Sequence, residues 1–377
     1  MDTLEHSQFK DTKFIVTISW MITAILLFAY ALGFSFEFSP EVWAQSPSAF
    51  PREIRVLTIN VWSGLTYKGF FKMGRYPDDP ERRYKSLVTA IRKLQPDIIA
   101  IQEANPLPDY ANRLAADLDH HVIYGVTLGG IRFGPVGIPT NLREGDAILV
   151  KKPSSLIALG KRRLQGVGIV TNWFCFHLNE MTQAMLGRVE MEGKALYVYS
   201  VHLHSGPFLG PALDASSKQV GLEVGQAKLE QAKKAVENDI LRRKVEIDNL
   251  IKWVEETLPP GMPAIILGDF NTTFDSGELE PLLGGGKWVD TFGLKNPHDE
   301  GFTWDPARNP NAREPKKPLE PYELLCAYHE HHSSRIDYIL VNNNIPNHDV
   351  LESHVVLTPV DGVCASDHYG VLTTMRW

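Results

Sequence analysis

The chain has 377 residues, 38 Lys and Arg against 45 Asp and Glu, and 44% apolar residues. That is ordinary globular usage, which excludes a wholly disordered chain, and a formal net charge of −7 speaks against a general nucleic-acid coat. The three cysteines, Cys175, Cys326 and Cys364, allow at most one intrachain disulfide and lie too far apart for a paired-thiolate metal motif.

From Phe14 to Phe36 the run FIVTISWMITAILLFAYALGFSF holds 23 residues without a charge. At about 1.5 Å per residue, a helix of that length crosses a ~30 Å hydrocarbon core. Lys10 and Lys13 precede it; Glu37 and Glu41 follow. The bias of bases puts residues 1–13 in the cytoplasm, makes 14–36 a single-pass anchor and places everything after Glu37 outside. A signal sequence cleaved after Val42-Trp43-Ala44 is the alternative, and it exports the same part. Residues 37–51, ending Gln45-Ser46-Pro47-Ser48-Ala49-Phe50-Pro51, read as a linker, and 52–377 as one catalytic domain.

Past Arg52, short apolar runs alternate with helical stretches. Strands are expected at Ile54–Asn60, Ile98–Gln102, Ala147–Val150, Ala195–His202, Ala264–Leu267, Ile336–Val341 and Gly370–Thr374. Between the first two, Asp79–Leu94 places Tyr84, Leu87, Val88, Ile91 and Leu94 at helical spacing before Pro96. A longer helix from Leu229 to Leu258 keeps its apolar residues on one stripe until Pro259-Pro260. The stretch Asp305–Arg335, rich in Pro, Asn, Lys and His, reads as a long loop.

Polar residues close these apolar strands: Asn60, Glu103, His202 and His204, Asp269 and Asn271, Asp337, and the pair Asp367-His368 before the last one. In an α/β sandwich such ends meet at one edge, where sites are built. Carboxylates without thiolates select a hard cation, Mg²⁺, Mn²⁺ or Ca²⁺. Histidines and amides add a base and donors for a phosphoryl oxygen.

In order, Leu57-Thr58-Ile59-Asn60-Val61-Trp62, Ile101-Gln102-Glu103, His202-Leu203-His204, Gly268-Asp269-Phe270-Asn271, Arg335-Ile336-Asp337-Tyr338 and Ser366-Asp367-His368 resemble the signature blocks of the endonuclease/exonuclease/phosphatase superfamily. The resemblance implies a four-layer α/β sandwich of two packed, mostly antiparallel sheets flanked by helices, and a metal-dependent phosphoric diester hydrolase. It makes Glu103 the principal metal ligand, with Asn60 beside it and Asp367 near. Asp269 and Asn271 position water and phosphate, and His202 donates to a phosphoryl oxygen. Asp337 orients His368, the general base, while Thr303 and His204 contact substrate.

The blocks are most similar to the neutral sphingomyelinase branch, which implies a phospholipid or sphingomyelin head group as substrate and a membrane as partner; no protein partner is implied. The segment Ser205–Gln226 departs from that branch. Tyr67, Phe70, Phe71, Tyr76, Phe133 and Phe208-Leu209 are read as a rim that seats on a bilayer. A nuclease is the alternative, with Lys68, Lys72, Arg75, Arg308, Arg313, Lys316 and Lys317 holding a phosphate backbone. Two further readings are an inactive binding module of the same fold and a second metal site at His329, His331 and His332.

Overall fold

The computed structural model describes residues 52–62, 80–129, 132–133, 136–137, 143–170, 175–177, 181–312, 320–359 and 362–377. The expected anchor at 14–36, the linker and the aromatic loop Tyr67–Tyr76 lie outside them. Among the described residues no helix is long and apolar enough to cross a membrane.

The strands are β1 (Glu53–Asn60), β2 (Ile98–Ala104), β3 (His120–Gly129), β4 (Arg132–Phe133), β5 (Val136–Gly137), β6 (Arg143–Lys151), β7 (Ser155–Gln165) and β8 (Gly168–Val170). They continue with β9 (Cys175–His177), β10 (Thr182–Met191), β11 (Lys194–His202), β12 (Ala264–Asp269), β13 (Trp288–Asp290), β14 (Asp337–Asn342), β15 (Val350–Val356) and β16 (Gly370–Arg376). The helices are α1 (Pro80–Leu94), α2 (Asp109–Leu118), α3 (Pro211–Val224), α4 (Gln226–Thr257), the short α5 (Glu280–Leu283) and α6 (Thr291–Lys295), and α7 (Pro321–Glu330). One six-stranded sheet runs β15-β16-β1-β2-β6-β3 and a second runs β13-β14-β12-β11-β10-β7. Each holds one parallel pair, β1 with β2 and β11 with β12; their other pairs are antiparallel.

Alternation within the strands sets the layers. Val56, Ile98, Ala100, Ile148 and Val371 of the first sheet meet Val198, Ile265, Leu267 and Ile339 of the second in a dry middle layer. The intervening residues Leu57, Ile59, Ile99 and Leu149 turn outward onto Tyr84, Leu87 and Ile91 of α1 and Leu114 of α2. On the far side Tyr197, Tyr199 and Ile266 receive Ile247, Leu250 and Trp253 of α4. The order helix, sheet, sheet, helix is the expected four-layer sandwich.

Two segments differ from expectation. The stretch 205–226 carries α3, and the expected loop 305–335 carries α7 as well as a one-turn helix at Pro310–Ala312. Val220 of α3, Leu229, Val236 and Ile240 of α4 and Leu325 of α7 bury one another in a satellite core. Neither short helix spaces its apolar residues at a clear helical period, those of α7 being clustered at 324–328, and packing on α4 supplies what local pattern does not.

Candidate active site

Register brings the strand ends together. His202 pairs with Asp269 across β11 and β12, Asp269 pairs with Asp337 across β12 and β14, and Asn60 pairs with Gln102 across β1 and β2. Gly268 permits the close approach of β11 and β12: its φ is +145°, and a Cβ there would lie 1.9 Å from the Val201 carbonyl oxygen. Glu103 sits where the β2–β6 register shifts, and its φ of +58° turns it out of the ladder. Asn271 (φ +51°) and Trp62 (φ +35°) are also left-handed. Three unfavourable backbone conformations at one edge mark a constrained site.

Asp269 Oδ2 lies at the centre. It accepts from Asn60 Nδ2 at 3.0 Å, with His202 Nε2 at 3.7 Å and His368 Nε2 at 3.8 Å. Asn60 Nδ2 also donates to Glu103 Oε1 at 2.9 Å, and His202 Nε2 is 3.8 Å from that same oxygen. Asp269 Oδ1 accepts from the Asn271 N–H, while the Asn271 side chain donates to the Leu203 carbonyl. His368 Nδ1 lies 2.9 Å from Asp337 Oδ2, in a pair that is almost wholly buried.

The electrostatics follow from burial among carboxylates. Burial works against a charge on His368, but Asp337 and then Asp269 outweigh it and hold its imidazole well above the ordinary value. Burial also opposes a charge on His202; Asp269, Glu103 and Asp146 prevail and raise it to about 9. Asp367 is pushed up to about 7 by burial, with the charge of Glu103 adding to it. Glu103 and Asp367, whose charges act on one another, offer oxygen ligands, which is what a hard divalent cation needs. Asp269, Asp337 and His368 also bring ligand atoms within 4.8 Å of one another. That group already holds the 2.9 Å bond between Asp337 and His368, whereas the Glu103–Asp367 side offers oxygens alone and so fits a hard cation better.

A cleft of about 390 Å³ opens on this edge. Glu103, His202, Asp269, Asn271, Asp367 and His368 line it, with Trp62, Glu144, Trp304, Glu330 and His332 on its walls. Asn60 and Asp337 lie behind these residues, 1% and 0% exposed. Thr303 is fully buried, and its hydroxyl accepts from the N–H groups of Ile336 and Asp337. It therefore fixes the strand that carries Asp337 instead of facing a substrate. His204 points to α4, where Nε2 is 3.0 Å from Asp239 Oδ1, and it is not among the residues lining the cleft.

The rim differs from expectation too. Phe208 is 7% exposed and stands edge-on to His329 at 4.4 Å. It lines the cleft from a buried position against α7, whereas Leu209, Phe274 and Phe302 are exposed. His329, His331 and His332 do not form one ligand set. His329 is buried, which drops it to about 4, and its Nε2 accepts from the Phe208 N–H. His331 packs edge-on to Tyr328, and His332 faces the cleft. Of the bases proposed for a nuclease, Arg308 is exposed; Lys68, Lys72, Arg75, Arg313, Lys316 and Lys317 lie outside the described residues.

Further residues support the site: Ser366 belongs to a block already singled out in the sequence, whereas Asn311, Arg83 and Asp146 carried no sequence signal by themselves. Ser366 Oγ donates to the Asn60 carbonyl at 2.7 Å and lies 3.1 Å from Asp367 Oδ1. Asn309 donates to the carbonyls of Ser366 and Asp367, and Asn311 to that of Cys364. Arg83, buried in α1, donates to the Trp62 carbonyl at 2.7 Å and stacks on its ring. Asp146 is buried beside His202, and among the described residues its carboxylate oxygens have no hydrogen-bond partner.

A family model described as the Endonuclease/Exonuclease/phosphatase family matches residues 57–368. None of the curated proteins matches the sequence. Among solved structures, a D. rerio TDP2 humanized by 14 mutations is 15% identical with a TM-score of 0.53, covering 86% of this chain and 99% of that one. D. rerio TDP2 complexed with a single strand DNA product is 16% identical with a TM-score of 0.51, over 86% and 99%. An endonuclease/exonuclease/phosphatase family protein from Leptotrichia buccalis is 18% identical with a TM-score of 0.51, over 86% and 100%. At such identities the likeness speaks for the fold alone.

Proposed function

Because the chain belongs to the endonuclease/exonuclease/phosphatase family, we propose that it is a divalent-metal-dependent phosphodiesterase that cleaves a phosphodiester by attack of water. The convergence of Asn60, His202 and His368 on Asp269 Oδ2 carries this reading. Glu103 and Asp367, with Asn60 beside them, would hold the cation. Bound there, Mg²⁺, Mn²⁺ or Ca²⁺ neutralises charge that develops on the phosphoryl group.

The side chains divide the remaining work. Asp337 fixes a proton on His368 Nδ1, which leaves Nε2 as the nitrogen that exchanges protons with water. Asp269 faces that nitrogen and orients the attacking water. His202, held as an imidazolium by its carboxylate neighbours, donates to a phosphoryl oxygen.

For the substrate we favour a lipid head group presented at a bilayer. The lining of the cleft adds Glu144 and Glu330 to the reaction carboxylates. A polyanionic strand needs the opposite charge along its track. The exposed Leu209, Phe274 and Phe302 follow or precede cleft residues closely in the chain, as a surface that meets lipid requires. A membrane anchor at 14–36 with the catalytic part outside belongs to the same reading. The test is a panel of sphingomyelin, phosphatidylcholine, phosphoinositides and single- and double-stranded DNA, each with Mg²⁺, Mn²⁺ and Ca²⁺. Cleavage of DNA with every lipid untouched would replace the lipid reading by a nuclease. No cleavage of any substrate would leave a binding module of the same fold.

A further inference from the structure

Arg243 of α4 is fully buried below one wall of the cleft, and its guanidinium is shared between a carboxylate and the chain. Nε and Nη2 donate to Glu278 at 2.8 and 3.1 Å. Nη1 donates to the carbonyl oxygens of His204 (3.4 Å) and Gly206 (3.2 Å), and Nη2 to that of Pro207 (2.8 Å). Three carbonyls of one short loop are thus drawn to a single cation.

In a planar trans peptide the C=O and the following N–H point in opposite directions. Each carbonyl turned onto Arg243 therefore turns the next N–H away from it. After Gly206 comes Pro207, which has no N–H. The N–H of Phe208 goes to His329 Nε2 at 3.5 Å. That of Ser205 remains. Ser205 is exposed and lines the cleft with His202, and among the described residues neither its N–H nor its hydroxyl has a partner. The path of the loop is fixed: Gly206 has φ +139°, and a Cβ there would lie 2.9 Å from Asp239 Oδ2.

We propose that the loop His204–Phe208 is an anion-binding wall, in which the Ser205 N–H and hydroxyl hold a non-bridging oxygen of the phosphoryl group. Arg243 is its positioning residue, turning the carbonyl oxygens away from the cleft. Donors fixed in advance cost no reorganisation when negative charge develops on that oxygen. The assignment rests on the phosphodiesterase reading but has a readout independent of turnover.

The test uses the full chain in detergent micelles with Mg²⁺, and inorganic phosphate as the probe. Calorimetry should show Ser205→Ala binding phosphate roughly tenfold more weakly, the effect of one lost hydrogen bond to a charged group. Ser205→Thr, which keeps the hydroxyl, should restore most of the affinity. Arg243→Lys keeps a charge against Glu278 but cannot reach all three carbonyls. Its folded fraction, checked by circular dichroism, should bind phosphate at least as poorly as Ser205→Ala does. Wild-type phosphate affinity in Ser205→Ala would overturn the assignment, as would wild-type affinity in folded Arg243→Lys. Ser205 is exposed, so its variants decide the matter if Arg243→Lys does not fold. Phosphate binding that depends on Ser205, in a protein that cleaves no phosphodiester, would support the wall and remove the enzymatic reading.

Discussion

Asp337→Asn tests the proton path most directly. The carboxylate is fully buried, lies 2.9 Å from His368 Nδ1 and is the strongest influence holding that imidazole above its ordinary value. At an effective dielectric of about 20, unit charges 2.9 Å apart interact by about 6 kcal/mol, which is a ceiling. Removing one partner of a buried pair typically costs about 3–5 kcal/mol. If the pair is fully charged in the transition state, that predicts a loss of roughly 10²–10⁴ in kcat. The amide preserves volume, so the fold should survive. The assay is the pH profile of kcat/KM at saturating Mg²⁺. Wild type should show an acidic limb above pH 6.5, set by His368 losing its proton. In Asp337→Asn the limb should move to lower pH while the plateau falls. A limb of unchanged midpoint together with an unchanged plateau would take this pair out of the proton path.

Three further substitutions probe other parts of the edge. Glu103→Ala should abolish metal-dependent turnover while the protein stays folded, since it removes the carboxylate best placed for the cation; near wild-type turnover at limiting Mg²⁺ would contradict that. Asp146 is raised from 3.8 to about 7 by burial, with Glu103 and Asp269 adding to it and His202 opposing. Its contribution to stability is therefore complete below pH ~4, is lost as the pH rises toward ~7, and is flat above. Asp146→Asn should stabilise the protein by up to roughly 4 kcal/mol at pH 8 and by little at pH 4, and a melting-temperature difference independent of pH would refute this. Gly268→Ala must separate β11 from β12 and should cost more than about 3 kcal/mol in urea unfolding; a variant of unchanged midpoint would show that the strands can shift without cost.

The residues at the strand ends were legible because two constraints coincide there. Ile265–Leu267 must be apolar to fill the layers, and the change to Asp269 and Asn271 at the end of the same strand is abrupt. Glu103, His202, Asp269, Asn271, Asp367 and His368 all reached the cleft on that logic. Thr303 and His204 did not, because a strand-end position does not say which way a side chain turns. Thr303 goes to the backbone beneath Asp337, and His204 goes to Asp239. Phe208 read as a rim residue because it follows the His202-Leu203-His204 block, and it does line the cleft, but from a buried position. Its partner, His329, lies 121 residues away in a helix that no local period announced. Arg243 was one more base on the polar face of a long helix until Glu278 and the His204–Pro207 carbonyls closed around it.

The register of β1 with β16 has a practical consequence. Glu53 pairs with Arg376, and the Trp377 N–H donates to the Arg52 carbonyl at 2.6 Å. Arg52 and Trp377 are thus neighbours, separated from Asn60 by the whole length of β1, roughly 25 Å at ~3.3 Å per residue. A short peptide joining them would permit circular permutation, with new ends opened at the exposed turn around Gly193, which lies at that same edge. Coupled to a solid support through Trp377, the sandwich would carry its cleft on the side away from the surface, open to whatever is flowed across it.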